Sequence, residues 1–508
     1  MNNSKFDDEK NQASPEQTEL KDAVTRRRFM TLFGGGVASL AVTACGGGGS
    51  AGDVQSASQL AMMTLGGRKP SPPPPPPPPP TTDPGTPTTP PTTTPPPTTD
   101  PGTPAPPVSG LPAWVPPVGY FADVPMVNNP QDVMPDMYRN YAGDTSAMDQ
   151  PFIMWTGSAV LRDYSALGAQ VYYGGGHEAG PSYPNIQLSL ICDFSTLTWS
   201  VANLPKQPNP ATSFVNGYAP DGTPYTPHTY LGLQEMPKAW GGGAKGTLVS
   251  FFWAGSSVEN RINLLDVSSA TNGYSQFSTR QPQNADPTKI RFDANSQGGN
   301  YPITVMDEKR QGWWVAVDGG NDYTLFVSRT GDITQYPALG GNLANGSMVL
   351  ANSLNLLIAI DGGYNMAPYT GYRTIYIRDL NTGTVTQSTT AGTVPSIADG
   401  YDGSHNTFNR PDVMGLQWVD ELGCVVGFDQ STTPPSIVKL TPPASNPATG
   451  TWTWSTVPVA HWDQDKNGQT TLQTCLNSVW SKFRWVPSLH AFVYGTGKDR
   501  KPQVVRIA

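Results

Sequence analysis

The stretch "VYYGGGHEAGPSYPN", Val171–Asn185, puts His177, Glu178 and Tyr183 directly behind three glycines. A histidine, a carboxylate and a phenol in one loop can exchange protons and hydrogen-bond a polar ligand. His228, His405 and His461 lie in comparable segments, accompanied by Tyr364, Asn365, Asn409, Arg410 and Trp462. Two chemistries suit this set. In a binding site, aromatic rings stack on sugars while amide and guanidinium groups bond their hydroxyls. In a lyase, His or Tyr serves as the base of a β-elimination and a cation stabilises the enolate-like charge. A phosphate cradle is excluded, because it needs glycines that open a helix. Here the glycines lead into "IQLSLICDF", which reads as a strand.

The elements that must position these residues follow a repeat. From Tyr301, "ITVMD" is a strand, "EKRQG" a turn, "WWVAVDGG" a return strand, "DYTLFVS" a third and "DITQYP" a fourth. The same order recurs from Gly346 and from Asp412. Earlier copies are "HTYLGLQEMP" with "GTLVSFFWAG", and "GSAVLRDYSALGAQVYYGGG" with "IQLSLICDFSTLTWS". The last copy is "NSVWSKFRWVPSLHAFVYGTG" with "PQVVRIA". The alternation is strand-like and helical periodicity is nearly absent. Four short antiparallel strands repeated about six times predict an all-β chain folded as a β-propeller of six four-stranded blades, with seven also open. The last copy lacks a fourth strand. "GYFADVPMV", Gly119–Val127, precedes the first copy and is expected to complete that blade.

The segment "YYGGGH" followed by "LSLICDFSTLTWS" resembles a kelch repeat, with glycines ending the second strand and a Trp six residues after Asp193. The wider resemblance is to kelch and galactose oxidase-class propellers. It implies the propeller fold. The copper-radical chemistry of that class is not expected, because the adjacent Tyr-His pair it requires is missing and "HTY" at His228 has the reverse order. No CxxC or Cys/His zinc spacing occurs either, so neither a metal nor another cofactor is expected.

Strand order assigns faces. Connections between second and third strands share a face with connections between blades. That face is predicted to carry His177, His228, His405 and His461, leaving only His490 on the other. Loops on a rigid scaffold commonly carry function.

The N-terminal part reads differently. "TRRRFM", Thr25–Met30, before a short apolar run resembles a twin-arginine export signal. "VTAC", Val42–Cys45, resembles the lipobox of bacterial lipoproteins, which implies cleavage before Cys45 and a lipid anchor on its sulfur. Residues 45–117 then form a Pro/Thr-rich linker, including "SPPPPPPPPPTTDPGTPTTPP", that cannot bury a core. As polyproline II its proline-rich part would reach on the order of 150 Å. The expected organisation is therefore a signal peptide over 1–44, a disordered linker over 45–117 and a propeller over 118–508. All 13 tryptophans lie at or beyond Trp114.

The net charge is −8 and only 14% of residues are charged, so no basic stripe exists for nucleic acid. After Cys45 three cysteines remain: Cys192, Cys424 and Cys475. Either Cys424 pairs with Cys475 or all three are buried thiols. These features lead to an exported, lipid-anchored envelope protein, in the outer membrane or at the surface, that binds a polysaccharide or glycoconjugate. The alternatives are a polysaccharide lyase or related glycan-active enzyme, and a scaffold for envelope proteins. Cys45→Ala is expected to shift the protein from the membrane fraction to the soluble fraction, or leave it uncleaved. Unchanged membrane fractionation would count against the anchor.

Overall fold

The computed structural model describes residues 110–133, 156–173, 189–203, 229–251, 262–267, 277–280, 302–317, 323–341, 343, 346–362, 372–393, 395, 413–475 and 479–507. All of them fall in one compact unit, and the chain is all-β. Strand β1 (Tyr120–Asp123) comes first. Four-stranded antiparallel units follow in chain order, each stacked 1-2-3-4. The first contains β2 (Gly157–Leu161), β3 (Ala169–Tyr173), β4 (Ser189–Asp193) and β5 (Thr198–Asn203). The second contains β6 (Leu233–Met236), β7 (Thr247–Phe251), β8 (Ile262–Asp266) and β9 (Phe277–Arg280). The third is β10 (Pro302–Asp307), β11 (Gly312–Val317), β12 (Tyr323–Ser328) and β13 (Ile333–Pro337).

The fourth unit, β14 (Ser347–Ala351), β15 (Leu356–Ile360), β16 (Thr374–Asp379) and β17 (Val385–Gly392), is joined to the fifth. That fifth unit is β18 (Gln417–Val419), β19 (Cys424–Asp429), β20 (Ser436–Thr441) and β21 (Trp452–Val457). The join is a parallel pairing of Thr390–Gly392 with Trp452–Trp454. Six separate blades were expected from the repeat; here two outer edges pair with each other instead of facing water. Pairing removes two free edges. Gly392, at φ 82°, is required at this join, since a Cβ there would strike the Trp454 carbonyl.

The last sheet has the order β22-β1-β25-β24-β23, where β22 is Ala460–His461, β23 Arg484–Val486, β24 Ala491–Tyr494 and β25 Gln503–Arg506. The strand expected to come from the N-terminal side is present: Tyr120–Asp123 runs antiparallel to Gln503–Arg506, in the register Tyr120↔Arg506. The added β22 pairs in parallel with β1 and covers its outer edge.

Burial explains why each unit reads as it does. Second strands such as "AQVYY" and "LLIAI" are buried along their whole length, because sheets pack on both faces. An outer strand such as β17 is largely exposed and polar. Apolar clusters sit between successive units, and they close a cycle. Leu161 and Val171 meet Leu233 and Leu248. Val249 and Phe251 meet Trp313 and Val315. Trp314 meets Leu350 and Leu357, and Ile358 and Ile377 meet Val425 and Trp454. Val426 and Phe428 meet Phe492 and Tyr494. Finally Val493 and Val504 meet Tyr172 and Leu190 of the first unit.

Cys192, Cys424 and Cys475 are all free and buried, which decides the pairing question for thiols. Burial pushes the Cys475 thiol up to about 11. Removing Gly119–Val127 should bare the edge of β25 and extract Phe121 and Ala122 from two core clusters. The melting temperature is expected to fall by roughly 5 °C or more, as read by calorimetry. Unchanged unfolding would show that the last sheet does not need β1.

Candidate functional site

In each unit the first strand has a hydrogen-bonded neighbour on one side only. The first strands of successive units lie against one another, β2 by β6, β6 by β10, β10 by β14, β14 by β18, β18 by β23 and β23 by β2. Together they surround a cavity of about 210 Å³ that all six line. It runs from Leu231, Ile303 and Leu416 at their N-terminal ends to Arg162, Glu308 and Asn352 beyond their C-terminal ends.

Side chains supply the hydrogen bonds that these inner edges lack. Gln417 reaches across to the last sheet and uses both ends of its amide. Its Nε2 donates to the Phe483 carbonyl at 2.8 Å and its Oε1 accepts from Trp485 N–H at 3.0 Å. Gln234 donates to the Thr304 carbonyl at 2.8 Å. Ser158 N–H donates to Ser481 Oγ at 2.9 Å, and Gly157 N–H to Thr229 Oγ1 at 2.8 Å. Gly157 is needed for this approach, since a Cβ there would collide with the Tyr230 carbonyl and Ser481 Oγ.

Two groups of charge lie in the cavity. At the C-terminal end of the strands Glu235, 4% exposed, accepts from Arg162 Nε at 2.7 Å and from Arg162 N–H at 2.6 Å. The same guanidinium reaches Glu308 at 2.5 Å. Burial raises the Glu235 pKa above the ordinary carboxylate value, and Arg162 opposes the rise. At the other end stands Arg484, the first residue of β23. Its Nε and Nη2 donate to the Ser158 carbonyl at 3.1 and 3.0 Å, and Nη2 also reaches the Leu233 carbonyl at 3.3 Å. Burial pulls its pKa down to about 10. Trp418 and Trp485 also line the cavity. Each is steadied edge-on by a ring behind it, Trp452 at 6.1 Å and Phe492 at 5.0 Å between centroids.

His177, Glu178, Tyr183, His228, Tyr364, Asn365, His405, Asn409 and Arg410 lie outside the described residues. His461 and Trp462 are described, and neither lines the cavity. His461 is on β22, the outermost strand of the last sheet, against Phe121 and 3.7 Å from Asp465. Trp462 packs on the core between the last unit and the first. His490, placed on the other face by strand order, sits in the turn after β23 and bonds Glu421 at 2.6 Å. Glu421 is in the turn after β18, so this pair joins two first-to-second turns. The residues that sequence reasoning passed over are Arg484, Gln417, Glu235 and the two indoles. Their signal was a polar or aromatic residue at first-strand positions, as in "GLQWVD" and "KFRWVP".

Lys482 carries a further buried cation away from the cavity. Its Nζ has no hydrogen-bond partner among the described residues, and burial lowers its pKa to about 8. Among the described residues, no group of three or more His, Cys, Asp or Glu side chains is arranged to hold a metal ion. No family model and no curated protein matches the chain.

Replacing Arg162 with Met should cost about 2 kcal/mol at pH 7, because Glu235 is then buried without its counter-charge and Arg162 itself is a third exposed. The sign with pH follows from the raised Glu235 pKa. The cost is full above the folded-state pKa and disappears as pH falls towards the ordinary value near ~4.3. Denaturant titrations of both proteins at pH 7.5 and pH 4.5 should show the gap shrinking at the lower pH.

Proposed function

We propose that the protein is an exported, lipid-anchored six-bladed β-propeller that binds a glycan or glycoconjugate in its central cavity. Five four-stranded units and a five-stranded last sheet, with apolar clusters between each successive pair and between the last and the first, support six blades over seven. The N-terminal strand β1 supplies the fourth strand of the last blade, with β22 paired outside it, and this supports closure by the N-terminal strand. The "TRRRFM" and "VTAC" segments support export and anchoring, and the proline-rich linker supports display away from the membrane.

One observation carries the binding reading: Trp418 and Trp485 stand on adjacent first strands, with Gln417 between them and Gln234 and Thr304 across the same cavity. Sugars present an apolar ring face beside several hydroxyls, and indoles beside amides match both. The cavity is smaller than the roughly 300–1,000 Å³ usual for drug-sized ligands. It therefore suits one terminal sugar unit more than a long chain lying across the face.

The test is retention of the wild-type protein on a panel of immobilised bacterial and plant polysaccharides, followed by calorimetry with any oligosaccharide that retains it. Trp418→Ala and Trp485→Ala should each weaken binding by tenfold or more with the strand signal in circular dichroism unchanged. Wild-type protein that is folded and retained by no member of the panel would overturn the reading.

A further inference from the structure

Four charged side chains line the cavity: Arg162, Glu235, Glu308 and Arg484. Three of them pair with one another, one guanidinium between two carboxylates. Arg162 is held by Glu235 at 2.7 Å and Glu308 at 2.5 Å. Arg484 is different. Its protein partners are the carbonyl oxygens of Ser158 and Leu233, and among the described residues no carboxylate lies within ion-pair distance of it. Nη1 makes no hydrogen bond to a described residue. A guanidinium cannot shed its proton at neutral pH, so it stays a cation in a mostly protein-enclosed position.

We propose that the glycan bound in this cavity is acidic, and that Arg484 holds the carboxylate of a uronic acid unit. This rests on the glycan reading above and adds the ligand's charge and orientation. The two carbonyls occupy Nε and Nη2 and leave the two Nη1 donors without a described partner. A carboxylate oxygen accepts from Nη1 in a charge-assisted hydrogen bond. The position also has a direction. Arg484 contacts Ser158 and Leu233, near the N-terminal ends of β2 and β6. Arg162 and Glu308 lie beyond the C-terminal ends of β2 and β10. The acid group therefore enters from the N-terminal end and stops at Arg484, short of the two carboxylates. Those carboxylates repel a ligand threaded the other way. The overall charge of −8 does not forbid this, because exposed charges more than about 8 Å away are largely screened at physiological salt.

The experiment compares trigalacturonate, its fully methyl-esterified neutral form, and citrate by calorimetry on the full-length mature protein. The wild type should bind the acid at least tenfold more tightly than the ester. Arg484→Lys keeps the charge but cannot hold both carbonyls and still present a separate donor to the ligand, and it should reduce that ratio to threefold or less. Arg484→Gln should abolish it. The wild-type ratio needs no variant to fold, so an unstable variant leaves the proposal testable. Equal affinity for acid and ester would overturn the acidic-ligand proposal and leave the glycan reading standing. A preference for acid that survives both substitutions would overturn the role of Arg484. Citrate binding that depends on Arg484, without binding of either trisaccharide, would overturn the uronate assignment in favour of a non-sugar anion. Binding of none of the three would overturn it also, with the polysaccharide panel then deciding the glycan reading separately.

Discussion

A strand at the edge of a sheet leaves half of its backbone polar groups without ladder partners. In this protein the six edges β2, β6, β10, β14, β18 and β23 are turned towards one another around the cavity, where several of those groups are far from bulk water. Much of the sequence near these strands answers that constraint. Gln417 stands in for a strand by giving one donor and one acceptor to the next unit. Ser158, Ser481 and Thr229 do the same with hydroxyls. Glu235 accepts from the Arg162 backbone as well as from its side chain. The polar lining is thus first a structural requirement, and the groups proposed to bind a ligand are drawn from what it leaves over.

This separates the lining residues by role. Gln417 and Glu235 are committed to the neighbouring unit, and a ligand must take them as they stand. Trp418, Trp485 and Arg484 each have one side fixed by the protein and another facing the cavity. A site built from side chains held on one side is preorganised, so little ordering entropy is lost on binding. The indoles owe their position to Trp452 and Phe492, which belong to the apolar clusters between units. The packing that holds the units together therefore also sets the aromatic geometry of the cavity.

The alternation in "ITVMD", "WWVAVDGG" and "DYTLFVS" was enough to place strands, because the period of two is imposed locally by the pleat. The pairing of "YFAD" with the last strand was legible from a missing fourth strand. The parallel join of β17 to β21 was not. It depends on two outer edges from different repeats meeting, and no local pattern encodes that meeting. Arg484 was passed over for a related reason. A lone arginine in "SKFRWVP" looks like a surface charge until the first strands are arranged around one cavity. The histidines drew attention by residue type and by the face that strand order gave their connections, and His461 shows the weakness of those criteria. It lies in a connection between units, as its position in the chain implied, yet β22 carries it to the outer edge of the last sheet.

The charges of the cavity bring these threads together. At one end two carboxylates share a single arginine. At the other an arginine has only carbonyls. Backbone carbonyls are good partners for guanidinium hydrogen bonds, but they do not cancel its charge. If the arginine served only to satisfy the inner edge of β2, a neutral amide would do so without the cost of enclosing a cation, as Gln234 does for β10 and Gln417 for the last sheet. Two other junctions between first strands thus use glutamine for the structural task, while the junction of β23 with β2 uses arginine. The difference between the two solutions is one unit of positive charge facing the cavity, and that charge is what a passing anion would meet.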